Sequence, residues 1–207
     1  TGKTFTMAHI IKELDCCALI IAPNKTLAAQ LYSEFKSFFP HDNVGFFISF
    51  YDYYQPEAYV PSRDLYIAKD SAINDDIDKM RHEATRALFE SRRTVIIASV
   101  SCIYGLGSPE TYAKNVLKLK TSDYTSRDTV LKSLINQTYT RSDHELVRGH
   151  FRVRGDSVDI MPAHVATEAV RVVFFGSQIE SMAVIDAMTG RIKMPLTEVT
   201  IYPNSHY

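Results

Sequence analysis

Residues 1–22 have the sequence TGKTFTMAHIIKELDCCALIIA, in which a helical pattern leads into a short apolar run. Apolar residues from Phe5 to Leu14 are spaced as on one face of a helix. The apolar run from Ala18 to Ala22 is typical of a strand that is covered on both faces. A helix followed directly by a buried strand predicts an α/β domain with a parallel sheet.

The first four residues match the end of the phosphate-binding motif GxxxxGK[ST]. In that motif the glycine lets backbone N–H groups close on the phosphates, the lysine reaches the β- and γ-phosphates, and the hydroxyl holds Mg²⁺. The candidate phosphate-binding residues are Thr1, Gly2, Lys3 and Thr4, and the magnesium ligand would be Thr4. The same letters can also begin an ordinary helix. Because the first glycine of the motif is not in the chain, we expect a piece of a longer protein with an incomplete pocket.

Helices and strands continue to alternate up to residue 112. The pattern predicts, in order, a helix capped by Asn24 and ended by Pro40, a strand over residues 44–50, a helix over residues 74–91, a strand over residues 94–100 and a helix that begins at Ser108. This βαβ alternation is typical of a parallel sheet with helices on its faces. We therefore assign residues 1–112 to one α/β domain.

The pattern changes in the second half of the chain. After a predicted helix over residues 126–135, short strands alternate with turn signals that are spaced for hairpins. The turn signals are Gly149, Gly155-Asp156, Gly176-Ser177 and Thr189-Gly190. We therefore assign residues 113–203 to a smaller α+β domain with an antiparallel sheet, and residues 204–207 to the start of the following segment.

The composition excludes several classes of protein. The 207 residues are 45% hydrophobic and 23% charged, which is typical of a soluble globular protein. No apolar run approaches the roughly 20 residues that span a bilayer, and charges at Lys12, Glu13 and Asp15 exclude a signal peptide near the start. Three cysteines, two of them adjacent at Cys16 and Cys17, indicate reduced thiols and a cytoplasmic location. With a net charge of −1, nucleic-acid binding would depend on local groups.

An unusual concentration of aromatic residues lies between Phe46 and Tyr66, and its centre is the sequence YDYYQPEAYVP at residues 51–61. One interpretation is that these rings fill the core beside an edge strand. However, consecutive residues such as Tyr53 and Tyr54 face opposite sides of a strand, so both cannot face one core. Rings on an extended ribbon would suit stacking on bases, at roughly 1–3 kcal/mol per base, or wedging between DNA strands. The residues alone leave core packing and nucleic-acid contact open.

Basic residues alternate with apolar ones in the second half of the chain. These basic residues are, in order, Arg141, Arg148, His150, Arg152, Arg154 and Arg171. From Arg148 to Arg154 they occupy alternate positions, so in a strand they share one face while the apolar residues share the other. An ordinary solvated sheet face is the simplest interpretation, because nearby carboxylates could neutralise it. Those carboxylates belong to Asp143, Glu145, Asp156, Asp159 and Glu168.

Several long motifs in this chain are similar to those of the UvrB family of bacterial nucleotide excision repair proteins. The motifs are NKTLAAQL at residues 24–31, YDYYQPEAYVP at 51–61, ASVSCIYGLGSP at 98–109, FRVRGD at 151–156 and IYPNSHY at 201–207. The resemblance covers practically the whole chain. It implies that residues 1–112 are an incomplete helicase-type P-loop domain with a protruding β-hairpin, and that residues 113–203 are the domain that interacts with UvrA.

In this family the hairpin inserts between DNA strands and clamps one of them, and the resemblance places it near residues 50–73. The implied DNA-binding residues are Phe50, Tyr51, Tyr53, Tyr54, Glu57, Tyr59, Lys69 and Arg81. The tyrosines would stack on DNA and probe for damage. Glu57 and Arg81 would support or contact the DNA path, and Lys69 would lock the hairpin or be solvated. Phe50 stands where the family usually has tyrosine, so one hydroxyl is lost there.

The resemblance also implies a role for the arginines, since exposed arginines of the second domain carry the UvrA contact in this family. The implied UvrA-binding residues are Arg141, Arg152, Arg154 and Arg171. Arginine suits docking because its rigid guanidinium fork matches the geometry of carboxylates. Val173 stands where the family often has an acidic residue, so the polar contact of an acid is lost at that position.

The resemblance implies that the intact protein joins UvrA, is loaded on damaged double-stranded DNA, verifies the lesion with its tyrosines and positions UvrC for incision. ATP and Mg²⁺ would bind at Lys3 and Thr4, between this domain and a second helicase domain. We expect this chain alone to bind no nucleotide tightly and to hydrolyse no ATP, because it lacks half of the loop and a recognisable acidic motif of the Walker-B type.

Two alternatives stay open. The first is the UvrB-like module of the transcription–repair coupling factor, which docks UvrA but lacks the hairpin; the YDYYQPEAYVP sequence argues against it. The second is an unrelated P-loop enzyme, such as a small-molecule kinase with a β insertion, which tight nucleotide binding without DNA binding would favour. A metal site at the carboxylates that follow Asn74 is less favoured, because a helix N-terminus attracts carboxylates anyway.

Overall fold

The computed structural model describes residues 2–55, 58–60, 65–67, 70–104 and 106–206, and between residues 52 and 73 it describes the backbone alone. The chain divides into two compact units, Thr1–Tyr104 and Gly105–Tyr207. The predicted domain boundary, between residues 112 and 113, lies inside a helix of the second unit, Pro109–Lys114. The described residues contain no helix that is both long and apolar enough to cross a membrane.

The first unit combines helices with a parallel sheet. Its helices are α1 (Lys3–Leu14), α2 (Lys25–Phe38) and α3 (Asp75–Glu90), with a short 3-10 helix at Val100–Ile103. Its strands are β1 (Ala18–Ala22), β2 (Asn43–Phe47), β3 (Tyr51–Gln55), β4 (Ala58–Val60), β5 (Leu65–Ile67), β6 (Asp70–Ile73) and β7 (Thr94–Ser99). Strands β1, β7 and β2 lie in that order and pair in parallel, so the predicted parallel sheet is confirmed.

The helices α2 and α3 begin where the sequence supplies a capping side chain. The Asn24 Oδ1 atom accepts a hydrogen bond from the Leu27 backbone N–H at 2.8 Å. The Asn74 Oδ1 atom accepts one from the Ile77 backbone N–H at 3.1 Å. Such caps satisfy donors of the first turn that have no partner within the helix. Helix α2 ends shortly before Pro40, as predicted.

Helices pack on both faces of the parallel sheet. Helices α1 and α2 pack on the face that carries Ile97, while α3 packs on the opposite face, which carries Ile96. A Cβ atom at Gly45 would lie 2.6 Å from Ile96 Cδ1 and 2.7 Å from Ala84 Cβ. Glycine at this position therefore lets α3 approach the sheet closely.

Strand β1 is less buried than its apolar sequence predicts. Leu19 and Ile21, on one face of the strand, are 59% and 52% exposed in this chain. Every residue of β7, in contrast, is buried. The prediction of two covered faces is wrong for β1, because β1 lies at the edge of the described sheet whereas β7 lies at its centre.

The aromatic segment forms two antiparallel ladders, β3 with β6 and β4 with β5. An irregularity follows Tyr51, and the register is regular from there on. Gln55 pairs with Asp70 in the first ladder, and Ala58 pairs with Ile67 in the second. The same number of residues separates these two pairs on each strand, so the ladders share one register. We call these two ladders, which share one register, the aromatic ribbon.

The second unit is α+β. Its helices are α4 (Pro109–Lys114) and α5 (Arg127–Asn136). Its strands are β8 (Leu117–Lys120), β9 (Thr140–Arg141), β10 (His150–Arg154), β11 (Ser157–Ile160), β12 (Glu168–Phe175), β13 (Gln178–Asp186), β14 (Ile192–Leu196) and β15 (Glu198–Ile201). The main sheet has the order β14-β13-β12-β11-β10-β9, and β8 pairs with β15 separately.

Most of the predicted hairpin turns are confirmed. Gly155, Gly176 and Gly190 have positive φ angles of 58°, 60° and 71° and lie in turns between antiparallel neighbours. The predicted hairpin at Gly149 is wrong, because this residue precedes β10, which pairs with β9 in parallel. Gly149 has a positive φ of 74°, which favours glycine, and a Cβ atom there would displace the end of the Asn204 side chain, 2.5 Å away.

The largest buried cluster in the described part of the second unit lies on one face of its main sheet, and a smaller cluster lies on the other. Helix α5 contributes Val130 and Leu134, which pack with Phe151 of β10, Val158 of β11 and Val172 of β12. Because side chains alternate along a strand, the residues between these lie on the opposite face. That opposite face carries the predicted arginines Arg152 and Arg171.

Candidate functional site

Two hydrogen bonds hold the start of the aromatic ribbon, where β3 begins. The Lys25 ammonium group, at the first residue of α2, donates to the Tyr51 carbonyl oxygen at 2.8 Å. The Asn74 backbone N–H, at the cap of α3, donates to the Phe50 carbonyl oxygen at 2.8 Å. The ribbon therefore starts next to the N-terminal ends of two helices that pack on the parallel sheet.

Arg81 of α3 is buried beside the same part of the chain. It is 4% exposed, and its Nη1 atom donates to the Ile48 carbonyl oxygen at 2.7 Å. The guanidinium carbon lies 4.0 Å from the centre of the Phe47 ring and 4.9 Å from that of Phe50, within the range of a favourable cation–π contact. Of the two roles implied for Arg81, support of the hairpin fits this burial better than direct contact with DNA.

Of the predicted hairpin residues, Phe50 and Tyr51 are described with their side chains. Their rings stack with centroids 4.5 Å apart, and Tyr51 is 39% exposed. Tyr53 and Tyr54 lie in β3 and Tyr59 lies in β4, where the backbone alone is described. Two predicted residues lie outside the described part of the chain, Glu57 and Lys69.

The predicted phosphate-binding residues Gly2, Lys3 and Thr4 lie at the N-terminus of α1, and Thr1 lies outside the described residues. Gly2 has a left-handed φ of 73° and no side chain with which to cap the first turn. Lys3 is exposed. A hydrogen bond from Thr4 lowers the pKa of the Glu34 carboxyl on α2. The hydroxyl that donates this bond keeps its oxygen lone pairs, so it could still be a ligand of a magnesium ion. An uncapped helix start beside an exposed lysine fits a bound phosphate.

In the second unit, two of the predicted arginines share one buried carboxylate. The register places Arg152 of β10 and Arg171 of β12 opposite Asp159, which lies between them on β11. The Arg152 Nε atom donates to Asp159 Oδ2 at 2.9 Å. The Arg171 Nε atom donates to Oδ1 at 2.6 Å, and its Nη2 atom donates to Oδ2 at 2.9 Å. These bonds join charged partners, and that of Arg171 is bidentate, the strongest common geometry. We call these three residues the arginine row.

The arginine row corrects the exposure that the sequence predicts. Arg152 is 7% exposed and Asp159 is 2% exposed, while Arg171 keeps a quarter of its side chain accessible. Burial by itself raises the pKa of the Asp159 carboxyl, but hydrogen bonds from Arg171 and Arg152 outweigh it and hold the pKa below its ordinary value. The hydrogen bond to Asp159 raises the pKa of Arg171. At neutral pH the row therefore contains two positive charges and one negative charge.

The other two predicted arginines are exposed. Arg154 lies at the end of β10, two residues beyond Arg152 on the same face, and the described residues give its side chain no hydrogen bond or ion pair. Arg141 pairs with Asp143 at 3.2 Å on the surface, where such a pair contributes at most about 1 kcal/mol. The register places Arg141 opposite Phe151, so it does not share the face of Arg152.

Two residues that complete these sites are not singled out by the sequence patterns. Asp159 is one of several acids near the arginines, and its signal is its place between Val158 and Ile160, two apolar residues of the core face. Lys25 lies within a helix-start motif, but its contact with Tyr51 joins distant positions for which no sequence pattern exists. Among the described residues, no group of His, Cys, Asp and Glu is arranged to hold a metal ion.

Comparison with known proteins gives matches to both units. Residues 117–207 match the family described as "UvrB interaction domain", and residues 1–98 match "Type III restriction enzyme, res subunit". The whole chain is 55% identical to UvrABC system protein B of Oleidesulfovibrio alaskensis and 56% identical to the proteins of that name from Bacillus licheniformis and Bacillus subtilis. Each match covers 100% of this chain, which spans 30–31% of the length of these curated relatives.

Proposed function

This chain belongs to the UvrB family, and from that membership we propose that it docks UvrA and carries the hairpin that verifies DNA damage. In this proposal the intact protein is loaded on damaged double-stranded DNA and inserts its tyrosine-rich hairpin between the strands. It then positions UvrC for incision. The single observation that carries the proposal is the 55% identity to a UvrABC system protein B. The matched region is the whole chain, so it extends over both the aromatic segment and the arginines.

The anchoring of the ribbon supports the proposed DNA role. A two-stranded ribbon gains little stability on its own in water, so an inserted hairpin needs a firm attachment at its start. Lys25, Asn74 and Arg81 each donate a hydrogen bond to a carbonyl within the four residues from Ile48 to Tyr51. The exposed Tyr51 ring, stacked on Phe50, would then be available to a base or sugar at the root of the hairpin.

The proposed helicase-type character of the first unit rests on its parallel sheet and on the match of residues 1–98. ATP would lie at the N-terminus of α1, with Lys3 reaching its phosphates and Thr4 as the ligand of a magnesium ion. When bound, the nucleotide would supply the energy for loading and release on DNA. We propose that this chain alone binds it weakly and does not hydrolyse it, so measurable turnover by the purified chain would contradict the proposal.

The proposed UvrA contact is tested by calorimetric titration of this chain with a bacterial UvrA. Arg154→Glu reverses an exposed charge without breaking an internal hydrogen bond, so we expect about tenfold weaker binding and an unchanged fold. Lys132→Glu is the matched control, because it makes the same charge change on α5, which packs on the opposite face of the sheet. Equal binding by both variants would contradict docking through this face, and absence of wild-type binding would contradict the docking function itself.

A further inference from the structure

We infer that Asp159 is a positioning residue for partner docking, which fixes Arg171 and the adjacent buried Arg152 so that the accessible part of Arg171 meets an acidic partner surface. This inference rests on the proposed docking of UvrA, and it names a residue outside the set that the family resemblance implies. Asp159 does not itself touch the partner, because it is 2% exposed. It acts through the two guanidinium groups that it binds.

The register of the sheet brings the three charges together. Arg152 pairs with Asp159 across β10 and β11, and Asp159 pairs with Arg171 across β11 and β12. Residues directly opposite in neighbouring strands have Cβ atoms about 5 Å apart, so their side chains meet on the same face. The carboxylate therefore lies between two arginines whose backbones the sheet already fixes.

The hydrogen bonds leave the guanidinium groups little freedom. Both Asp159 oxygens accept from Arg171, and one of them also accepts from Arg152. Arg171 Nη1 makes a further contact of 3.4 Å with the Gly190 carbonyl oxygen, in the turn between β13 and β14. Arginine side chains normally lose much rotamer freedom when they bind a partner. Here that freedom is already lost before docking, and more accessible surface remains on Arg171 than on Arg152.

The row also keeps a positive charge. Two guanidinium groups and one carboxylate leave one net positive charge, and exposed Arg154 lies on the same face beyond Arg152. Acidic groups of a partner would thus meet one free arginine next to a fixed cationic row. Arg171 directs its Nε–H and one Nη2 hydrogen at Asp159 and one Nη1 hydrogen at the Gly190 carbonyl oxygen. One hydrogen on each of Nη1 and Nη2 is left for a partner carboxylate to accept.

An electrostatic role and a positioning role of Asp159 predict opposite changes in partner affinity when the carboxylate is removed. Asp159→Asn adds one positive charge to the face, so a purely electrostatic role predicts tighter binding to an acidic partner. A positioning role predicts weaker binding, because both guanidinium groups lose their shared acceptor. Asp159→Glu keeps the charge but displaces the carboxylate by one methylene, so only the positioning role predicts a loss of affinity.

The experiment is calorimetric titration of UvrA with this chain and three variants. We expect about tenfold weaker binding for Asp159→Asn and a smaller loss for Asp159→Glu, the size expected when one or two side chains must be ordered on docking. Asp156→Asn is the matched control, since it makes the same charge change at an exposed position in the turn between β10 and β11. This control should bind as wild type or slightly more tightly.

Each outcome separates the inference from the proposed function. Wild-type binding with tighter or unchanged binding by the Asp159 variants would overturn the positioning role and leave docking intact. Absence of wild-type binding would overturn the docking function and the role of Asp159 in it together. Weaker binding by both Asp159 variants, with Asp156→Asn unaffected, would establish the inference.

A measurement on the wild-type chain guards against variants that fail to fold. In a ¹⁵N-resolved spectrum the Nε–H groups of Arg152 and Arg171 should give slowly exchanging signals with ordered relaxation, while Arg154 should be mobile. The relaxation of these two Nε–H groups should stay the same when UvrA is added. Mobile Nε–H groups in the free chain, or a marked gain of order on docking, would overturn the inference without any substitution.

Discussion

The two compact units each hold a buried arginine, but they use it in opposite ways. In the first unit Arg81 donates to the Ile48 carbonyl and lies against the Phe47 and Phe50 rings, so the side chain fixes the main chain from which the ribbon starts. In the second unit Asp159 accepts from Arg152 and Arg171, so a side chain fixes other side chains. The difference follows from what each proposed site must present.

A hairpin that enters DNA has to be aimed as a whole, and aiming a ribbon means fixing its backbone. A docking surface has to present charged groups in set positions, and that requires fixing side chains. The two arrangements also differ in what is left unsatisfied when the key side chain is removed. Loss of Arg81 leaves a buried carbonyl without a donor, whereas loss of Asp159 leaves two cations in a largely buried row.

The largest expected effect is that of Asp159→Ala on the second unit. Removing one partner of a buried ion pair typically costs about 3–5 kcal/mol, because the remaining charge stays buried without compensation. We expect a loss of that order in the free energy of unfolding, measured by hydrogen exchange of the β11 and β12 amides in denaturant. Asp156→Ala, at an exposed position of the adjacent turn, should cost less than about 0.5 kcal/mol. If both variants lost a similar free energy of unfolding, the buried ion pairs of the arginine row would stabilise the unit no more than an exposed carboxylate does.

Arg81→Met should have the next largest effect, in the first unit. Methionine keeps most of the apolar contact with Phe47 and Phe50 but leaves the Ile48 carbonyl unsatisfied, at a cost of about 1.5–3 kcal/mol. We also expect Arg81→Met to accelerate hydrogen exchange more at the β3 amides than at the β7 amides. Arg86→Met on the same helix is the control, because Arg86 makes an exposed pair with Glu90. Uniform loss of protection throughout the unit would mean that Arg81 supports the core and not the ribbon.

Acid should weaken the second unit through Asp159. The pKa of this carboxyl is lower in the folded than in the unfolded chain, so its stabilising contribution is present at neutral pH and is lost as the pH falls below about 4. The wild-type chain should therefore be more stable than Asp159→Asn at about pH 6, and this advantage should shrink towards about pH 2. Urea unfolding at a series of pH values measures it. A constant difference between the two would show that Asp159 keeps its proton state throughout.

The smallest expected effect is that of Lys25→Met. The Lys25 ammonium is exposed, so its bond to the Tyr51 carbonyl should contribute less than about 1 kcal/mol. We expect a nearly unchanged melting temperature but faster exchange of amides in β3 and β6, with recovery in Lys25→Arg. Lys36→Met, in the last turn of the same helix, should leave those amides unchanged. If Lys25→Met also leaves them unchanged, Asn74 and Arg81 are sufficient to hold the ribbon.

Local chemistry made most of the fold predictable. Asn24 and Ser108 are capping residues at predicted helix starts, and the glycines at 155, 176 and 190 lie in predicted hairpin turns. These features depend on a few neighbouring residues. The burial of β1 was mispredicted because an apolar run shows what a strand prefers, but not whether a neighbour covers Leu19 and Ile21.

The candidate site was predictable only in part, for the same reason. The alternation around Arg152 correctly predicts which residues share a face, since it depends on the period of a single strand. Pairing with Asp159 depends on the register between strands, and the burial of Arg81 depends on how α3 packs on β2. Neither register nor packing leaves a pattern within a short window of sequence.

The arginine row has a consequence for how this chain can vary. Replacing the acid at position 159 leaves two crowded cations, while replacing either arginine leaves the acid with less support. Such positions are coupled, so the cost of one change depends on the state of the other two. A single substitution in the row is therefore expected to destabilise the fold, whereas coordinated substitutions at all three positions need not do so. We therefore expect Arg152, Asp159 and Arg171 to change together in evolution, whereas a change at Arg154 breaks no hydrogen bond within the described part of the chain.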